Sequence, residues 1–220
     1  MKSNYKKTAI IIGGSKGLGQ SISKNLNKAK FKVYSCSRKD IDTSNLSSVE
    51  RFIKKNKSAD LLVLNSGGPP PKKFNQITIN EWKKYFNQLF LSYFYILKNI
   101  NIKKNGYVFY ISSSIIKEPG NSLIISSSLR SAMSSMLKSY SLENLNKDIT
   151  VINIAPGPFK TRRVKELVKD LRKFEKSLPS GKIGNPDEIG KFVRFIVQEK
   201  IKYISGSTVY FDGNLNKSFI

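Results

Sequence analysis

With 220 residues, 39% of them hydrophobic, and neither a membrane-length apolar run nor a signal-peptide core, the sequence suits one cytoplasmic globular domain (1–220) without a membrane partner. The single cysteine, Cys36, excludes disulfides and CxxC metal sites, and the absence of histidine excludes Ser-His-Asp triads, Cys-His nucleophiles and HExxH zinc sites. Although 39 basic residues face 15 acidic ones, the lysines are spread along the whole chain, so we expect attraction of anionic small molecules more than a nucleic-acid footprint.

Strand-like and helix-like segments alternate along the chain. The predicted strands lie at 8–14, 31–37, 60–68, 107–114, 149–157 and 207–213. The predicted helices comprise one that places Leu18, Ile22 and Leu26 on a single face, followed by 46–56, about 80–102, about 123–146, and 186–198. This alternation predicts an α/β domain with a doubly wound parallel sheet, helices on both faces, and ligands at the carboxyl ends of the strands.

The first predicted strand runs into the glycine-rich stretch GGSKGLG, residues 13 to 19. Glycines allow a tight turn and close approach of the backbone to a pyrophosphate, and the helix that follows offers free amides at its N-terminus. The stretch therefore predicts a dinucleotide site, although a plain tight turn would have the same composition.

Further motifs follow in order, and together they resemble the short-chain dehydrogenase/reductase family, close to its 3-oxoacyl-carrier-protein reductase type. The matching stretches are GGSKGLG (13–19), NSGG (65–68), ISSS (111–114), APGPFKT (155–161), GKIGNPDEIGKFVRFI (181–196) and SGSTVYFDG (205–213). The resemblance implies a Rossmann fold, hydride transfer between a nicotinamide cofactor and a carbonyl or alcohol, and a homodimer or homotetramer. It implies cofactor contacts from Gly13, Ser15, Lys16, Gly17, Leu18, Gly19, Arg38, Asp42, Asn65, Ser66, Gly67, Arg130, Pro156, Gly157 and Thr161.

The choice of cofactor follows from charge. The family binds NAD(H) through an acidic residue after the second strand, whereas this chain offers Arg38 there and Lys16 in the glycine turn. Both could pair with a 2′-phosphate, which favours NADP(H) over NAD(H). Asp42 matches the position that contacts adenine, but it could equally cap a helix. The segment between residues 37 and 42 is shorter than usual for the family, so Arg38 could lie elsewhere.

The active-site pattern of the family is altered. Thirteen residues after Ser113 the family has Tyr, followed four residues later by Lys; here these positions hold Ser126 and Arg130, and Leu89 replaces the family's Asn. A slip of one residue would exchange Ser113 for Ser112 or Ser114. We expect Ser113 to hydrogen-bond the carbonyl, Arg130 to hold the nicotinamide ribose and an oxyanion, and Ser126 to position a water molecule. Serine caps and a solvated arginine are the ordinary alternative.

Two other segments bear on substrate and function. The GGPPP loop at 67–71 fits a divergent branch of the family that carries Ser-x-x-x-Arg, and the basic stretch at 160–180, with Arg162 and Arg163, suggests an anionic substrate such as an acyl thioester. That basic character could also reflect the overall bias of the chain. Two alternatives remain: a nucleotide-binding protein without turnover that acts as a sensor or assembly partner, and a nucleic-acid binder of the same fold.

Overall fold

The computed structural model describes residues 7–218 and contains a parallel sheet whose strand order is β2-β1-β3-β4-β5-β6. The strands are β1 Thr8–Ile11, β2 Lys32–Ser35, β3 Ser58–Leu64, β4 Asn101–Ile111, β5 Thr150–Pro156 and β6 Ser207–Phe211. The helices are α1 Gly17–Lys28, α2 Leu46–Lys55, α3 Ile79–Phe86, α4 Ser92–Asn99, α5 Ile124–Glu143, α6 Arg162–Leu167, α7 Leu171–Ser177 and α8 Pro186–Gln198. No helix among these residues is long and apolar enough to cross a bilayer.

Alternate residues of the buried strands face opposite layers of helices, as the doubly wound prediction requires. Ile10, Leu62 and Val108 pack in one apolar cluster with side chains of α2, α4 and α5. Their neighbours along the same strands pack in a second cluster with side chains of α1 and α8. Because both faces of the sheet are covered, the strands read as continuous apolar runs rather than as an alternating pattern.

The structure shortens several predicted elements. The predicted helix at 80–102 divides into α3, a π-helical turn at Asn87–Leu91, and α4, and the chain then enters β4 at Asn101. The first residues of β4 pair with the start of β3, and the register shifts between Ala59 and Leu61. Periodicity did not reveal this early start, because the bulge places the polar residues 103–105 inside the strand.

The connection after β2 contains no strand. Residues 36–45 lead directly from β2 to α2, which leaves β2 at the edge of the sheet within the described part of the chain. That this segment is shorter than in the family stays a prediction. Arg38 lies on a short turn at the carboxyl edge of the sheet, where the ends of β1 and β3 also lie.

Candidate active site

The glycine turn adopts a conformation that only glycine tolerates well. Gly13 has φ +65°, and a side chain there would place its Cβ 2.5 Å from the carbonyl oxygen of Asn65. A Cβ on Gly19 would lie 2.2 Å from the carbonyl oxygen of Gly13. The Asn65 side chain donates through Nδ2 to that same oxygen over 3.0 Å. Gly19 therefore serves the packing of α1 on the turn, and Asn65 links the turn to the end of β3.

The N-terminus of α1 fits an anionic group. Its N-cap residue, Lys16, has an extended backbone, and the Lys16 side chain makes no hydrogen bond to the backbone amides of the first helical turn. Gly17 has φ +54°, and the nearest atom to a Cβ there would be the methyl of Thr161, 3.3 Å away across the cleft. A helix of this length with an open, glycine-lined N-terminus is a suitable cradle for a diphosphate.

A cleft of about 590 Å³ begins at this cradle and follows the carboxyl ends of the strands. All the predicted cofactor residues line it except Gly19, which packs behind the turn, and Asp42, which lines a neighbouring cavity. The three predicted catalytic residues, Ser113, Ser126 and Arg130, line the same cleft. The structure thus brings the two predicted groups of residues together, although their contacts with cofactor and substrate remain predictions.

Arg130 is buried, with 5% of its surface exposed, and joins three elements at the strand ends. Its Nη1 donates to the carbonyl oxygens of Ile111 (2.9 Å) and Ser112 (3.1 Å), and its Nη2 donates to that of Ser66 (3.1 Å). Its Nε donates to Ser126 Oγ over 3.2 Å. These contacts use every N–H of the guanidinium except one on Nη2. The alternative of a solvated arginine is therefore wrong.

The serines after β4 differ in their hydrogen bonds. Ser112 Oγ donates to the carbonyl oxygen of Ile154, so its hydroxyl is used within the sheet. Ser113 is half-buried and extended (φ −167°), lines the cleft, and makes no side-chain hydrogen bond within residues 7–218. Ser114 also lines the cleft but is buried. This geometry favours Ser113 over Ser112 as the hydroxyl that meets a substrate.

Two tyrosines lie near Arg130 and do not line the cleft. Tyr93 and Tyr110 are fully buried, and their rings meet edge to face at 5.9 Å. Burial raises the pKa of both hydroxyls, partly offset for Tyr93 by Ser66 and for both by the Arg130 charge. Neither residue lines the cleft, so both remain protonated packing partners of the arginine.

The ionisable side chains that line the cleft are all basic. They are Lys16, Arg38, Arg130, Arg162 and Arg163, and no Asp, Glu, Cys or Tyr accompanies them among the described residues. Such a lining stabilises negative charge, on a ligand or on a developing oxyanion. Apart from the ammonium of Lys16 in the glycine turn, the lining offers no side chain with a proton to give near neutral pH, so we expect the proton to come from water or from the substrate.

The Arg38 side chain is held by Asp42. Arg38 Nη2 lies 3.0 Å from Asp42 Oδ2 and Nε donates to the same oxygen over 3.1 Å, while 73% of the Arg38 side chain is exposed. Asp42 Oδ1 accepts from the backbone N–H and the hydroxyl of Ser44. Burial raises the pKa of Asp42, but the hydrogen bonds from Ser44 and the contact with Arg38 outweigh it, so the pKa lies below its ordinary value. Both carboxylate oxygens are therefore engaged, and a contact of Asp42 with adenine remains a prediction.

A second cavity of about 320 Å³ adjoins the cleft, and sequence reasoning missed one of its walls. Arg38 and Asp42 line it on one side, and Lys84, Tyr85 and Gln88 line it from α3 and the turn that follows. Gln88 Nε2 donates to the carbonyl oxygen of Gly67 over 2.7 Å, which fixes that turn against the loop after β3. No motif marks Lys84, since the chain is rich in lysine; only the fold brings it opposite Arg38.

The other end of the cleft is covered by α6, α7 and the C-terminal segment. Arg163 Nη2 donates to the carbonyl oxygen of Pro69 over 2.5 Å, which joins α6 to the proline loop across the cleft. Arg162 is paired with Glu166 at 2.6 Å and is largely exposed. The apolar side chains in this part of the lining are Ile115, Leu123, Val164, Leu167, Val168, Phe174 and Leu215. This end therefore suits a ligand with an apolar portion near a positive charge.

Comparison with known proteins assigns the chain to a family. The family model described as enoyl-(acyl carrier protein) reductase matches residues 20–216. The 3-oxoacyl-[acyl-carrier-protein] reductase FabG of Buchnera aphidicola subsp. Schizaphis graminum is 29% identical over 96% of this chain and 97% of its own length. The NADPH-dependent reductase BacG of Bacillus subtilis is 25% identical over 97% and 99%. A solved short-chain dehydrogenase family protein from Francisella tularensis has a TM-score of 0.86 at 22% identity, covering 96% of this chain and 99% of its own.

Proposed function

Because the chain belongs to the short-chain dehydrogenase/reductase family, we propose that it is an NADP(H)-dependent oxidoreductase that acts on a carbonyl or alcohol substrate. The observation that carries this proposal is the single cleft that joins the open N-terminus of α1 to Ser113 and Arg130. The similarity to FabG and to an NADPH-dependent reductase supports the same reaction class and the same cofactor.

The residues of this chain would hold the dinucleotide along the cleft. The first-turn amides of α1 would bind the diphosphate, and Arg38 would face the 2′-phosphate. The remaining N–H on Arg130 Nη2 would reach the ribose on the nicotinamide side. When bound, the cofactor supplies or accepts the hydride. This orientation leaves the carboxyl end of β4, with Ser113, for the substrate.

Ser113 and the basic lining would stabilise the reacting oxygen. The Ser113 hydroxyl is free to donate a hydrogen bond to a carbonyl oxygen, and the Arg130 charge lies at the same wall of the cleft. Preorganised donors of this kind stabilise negative charge as it develops. Ser126 accepts from Arg130 Nε, so its hydroxyl hydrogen is free to orient a water molecule. That water would deliver the proton which a tyrosine gives in the family pattern, at a cost of roughly 10² to 10⁴ in rate.

A 3-oxoacyl thioester is the substrate class that we favour. The apolar lining beneath α6 and α7 would take an acyl chain, and Arg163 would face its polar end. The relatives named for acyl-carrier-protein substrates support this choice. We also propose a cytoplasmic homodimer or homotetramer, in keeping with the family.

Fluorescence titration with NADPH and, in parallel, NADH tests the cofactor assignment. We expect micromolar binding of NADPH, weaker binding of NADH, and loss of the preference in Arg38→Asp. A protein that binds neither nucleotide would contradict the proposal.

A nucleotide-binding protein without turnover is the second candidate. The observation that favours it is the cleft lining, in which the described residues include no Asp, Glu, Cys or Tyr. Binding of NADPH without oxidation of the cofactor by any ketone, aldehyde or 3-oxoacyl thioester would support this candidate over the reductase.

A further inference from the structure

We infer that Lys84 is a further cationic contact for the 2′-phosphate of the cofactor, beside Arg38 and Lys16, and contributes to the preference for NADP(H). The inference rests on the proposed function, because it concerns the cofactor assigned there. Its basis is the second cavity, which Arg38 lines from the turn after β2 and Lys84 lines from α3.

The second cavity is continuous with the cleft. Both are lined by Gly13, Asn65, Ser66, Gly67, Gly68 and Arg38. If the diphosphate lies at the N-terminus of α1 and the nicotinamide half points toward Ser113, the adenosine half must extend the other way. The other direction leads past Arg38 into the second cavity, so this cavity receives the ribose that carries the 2′-phosphate.

Arg38 alone compensates a phosphate poorly. Its ion pair with Asp42, at 3.0 Å, already offsets its charge, and Asp40 lies two residues away. A phosphate monoester carries about −1.5 to −2 charges at neutral pH. Arg38 paired with a carboxylate, together with Lys16 on the cleft side, therefore leaves part of that charge without a partner.

Lys84 is the uncompensated cation of this cavity. Glu81, one turn earlier on α3, is occupied by Lys72 at 2.7 Å and by the N-cap Thr78. Within residues 7–218 Lys84 forms no ion pair, and its Nζ lies 5.5 Å from the ring centre of Tyr85, a residue that also lines the cavity. The bond from Gln88 to Gly67 holds this wall in place. Lys84 thus adds a positive charge to the cavity that Arg38 also lines.

The test compares Lys84→Gln with Lys83→Gln, since Lys83 is a neighbour that is also exposed but does not line the cavity. Dissociation constants are measured by fluorescence for NADPH and NADH, and by calorimetry for adenosine 2′,5′-bisphosphate and adenosine 5′-monophosphate. Loss of one charge-assisted contact is worth roughly tenfold in affinity. We expect Lys84→Gln to weaken the binding of NADPH and of the 2′,5′-bisphosphate by roughly this factor and to leave the binding of NADH and of the monophosphate unchanged. Lys84→Arg, which keeps the positive charge, should retain the preference for NADPH over NADH.

The possible outcomes separate the two proposals. An unchanged ratio of NADPH to NADH affinity in Lys84→Gln, or an equal loss in Lys83→Gln, would overturn the inference and leave the reductase assignment intact. Equal affinity of the wild-type protein for NADPH and NADH would overturn the inference, and it would mean that the protein accepts both NADP(H) and NAD(H). A wild-type protein that binds neither would overturn both. Thermal melting of each variant checks that the substitutions leave the fold unchanged.

Discussion

The nucleotide half of the cleft, at the ends of β1, β2 and β3, differs from the catalytic half, at the ends of β4 and β5, in what its geometry depends on. The nucleotide half is built from backbone: positive-φ glycines, an uncapped helix and a carbonyl held by Asn65. The catalytic half is built from side chains, above all the contacts of Arg130.

This difference is consistent with the prediction that one half keeps the family pattern and the other does not. A glycine turn has few substitutes, because a Cβ at Gly13 would collide with backbone atoms. Side-chain chemistry can be exchanged if the fold is preserved, and the buried Arg130, which the resemblance aligns with the family's lysine, ties the ends of β3 and β4 to α5. In this chain Arg130 is a structural cross-link as well as a charge at the site.

The largest effect should follow removal of that cross-link. In Arg130→Met the carbonyl oxygens of Ser66, Ile111 and Ser112 lose their buried donors, and we expect the free energy of unfolding to fall by about 3 kcal/mol. Arg51→Met, on the exposed surface of α2, is the matched control and should change it by less than about 0.5 kcal/mol. Denaturant unfolding measures both. Equal, small effects would show that Arg130 is not a cross-link.

Loss of the Ser113 hydroxyl should affect only the reaction. In Ser113→Ala we expect turnover to fall roughly 10²-fold while NADPH affinity stays within about twofold, because we propose that the hydroxyl meets the substrate and not the nucleotide. Steady-state kinetics and fluorescence titration provide the two readouts. If Ser114→Ala lowered turnover instead, the serine assignment would shift by one residue.

A methyl group on the glycine turn should affect the nucleotide half alone. Gly13→Ala forces a side chain into φ +65° and against Asn65, so we expect a loss of about 2 kcal/mol in stability together with weaker NADPH binding. Gly120→Ala is the control, since a Cβ there meets no atom within 4 Å. Thermal unfolding and titration check this prediction, which fails if the two variants behave alike.

Ser126 should show the smallest effect on stability. Its hydroxyl accepts one bond from Arg130, so Ser126→Ala should cost about 0.5 to 1 kcal/mol. The same variant should lower turnover if Ser126 orients the proton-donating water. Unfolding and kinetics measured on one preparation separate the two roles, and unchanged turnover would remove Ser126 from the mechanism.

The parallel sheet and the cradle could be predicted from sequence because local patterns determine them. Continuous apolar runs, helical periodicity and the glycine spacing around Gly17 all act within a few residues. The spacing from Ser113 also located Ser126 and Arg130 on the cleft. The partners of Arg130 and the position of Lys84 depend on which strand ends and helices meet in three dimensions, and no local pattern encodes that. The split of the helix near Leu89 was missed for the same reason.

The most direct test of the account is hydride transfer itself. Purified protein is incubated with NADPH deuterated at the reactive carbon of the nicotinamide and with a panel of ketones and 3-oxoacyl thioesters, and products are analysed by mass spectrometry. The account predicts an alcohol that carries one deuterium, formed by the wild type and strongly reduced in Ser113→Ala. Tight NADPH binding with no deuterated product from any substrate would contradict the assignment as a reductase.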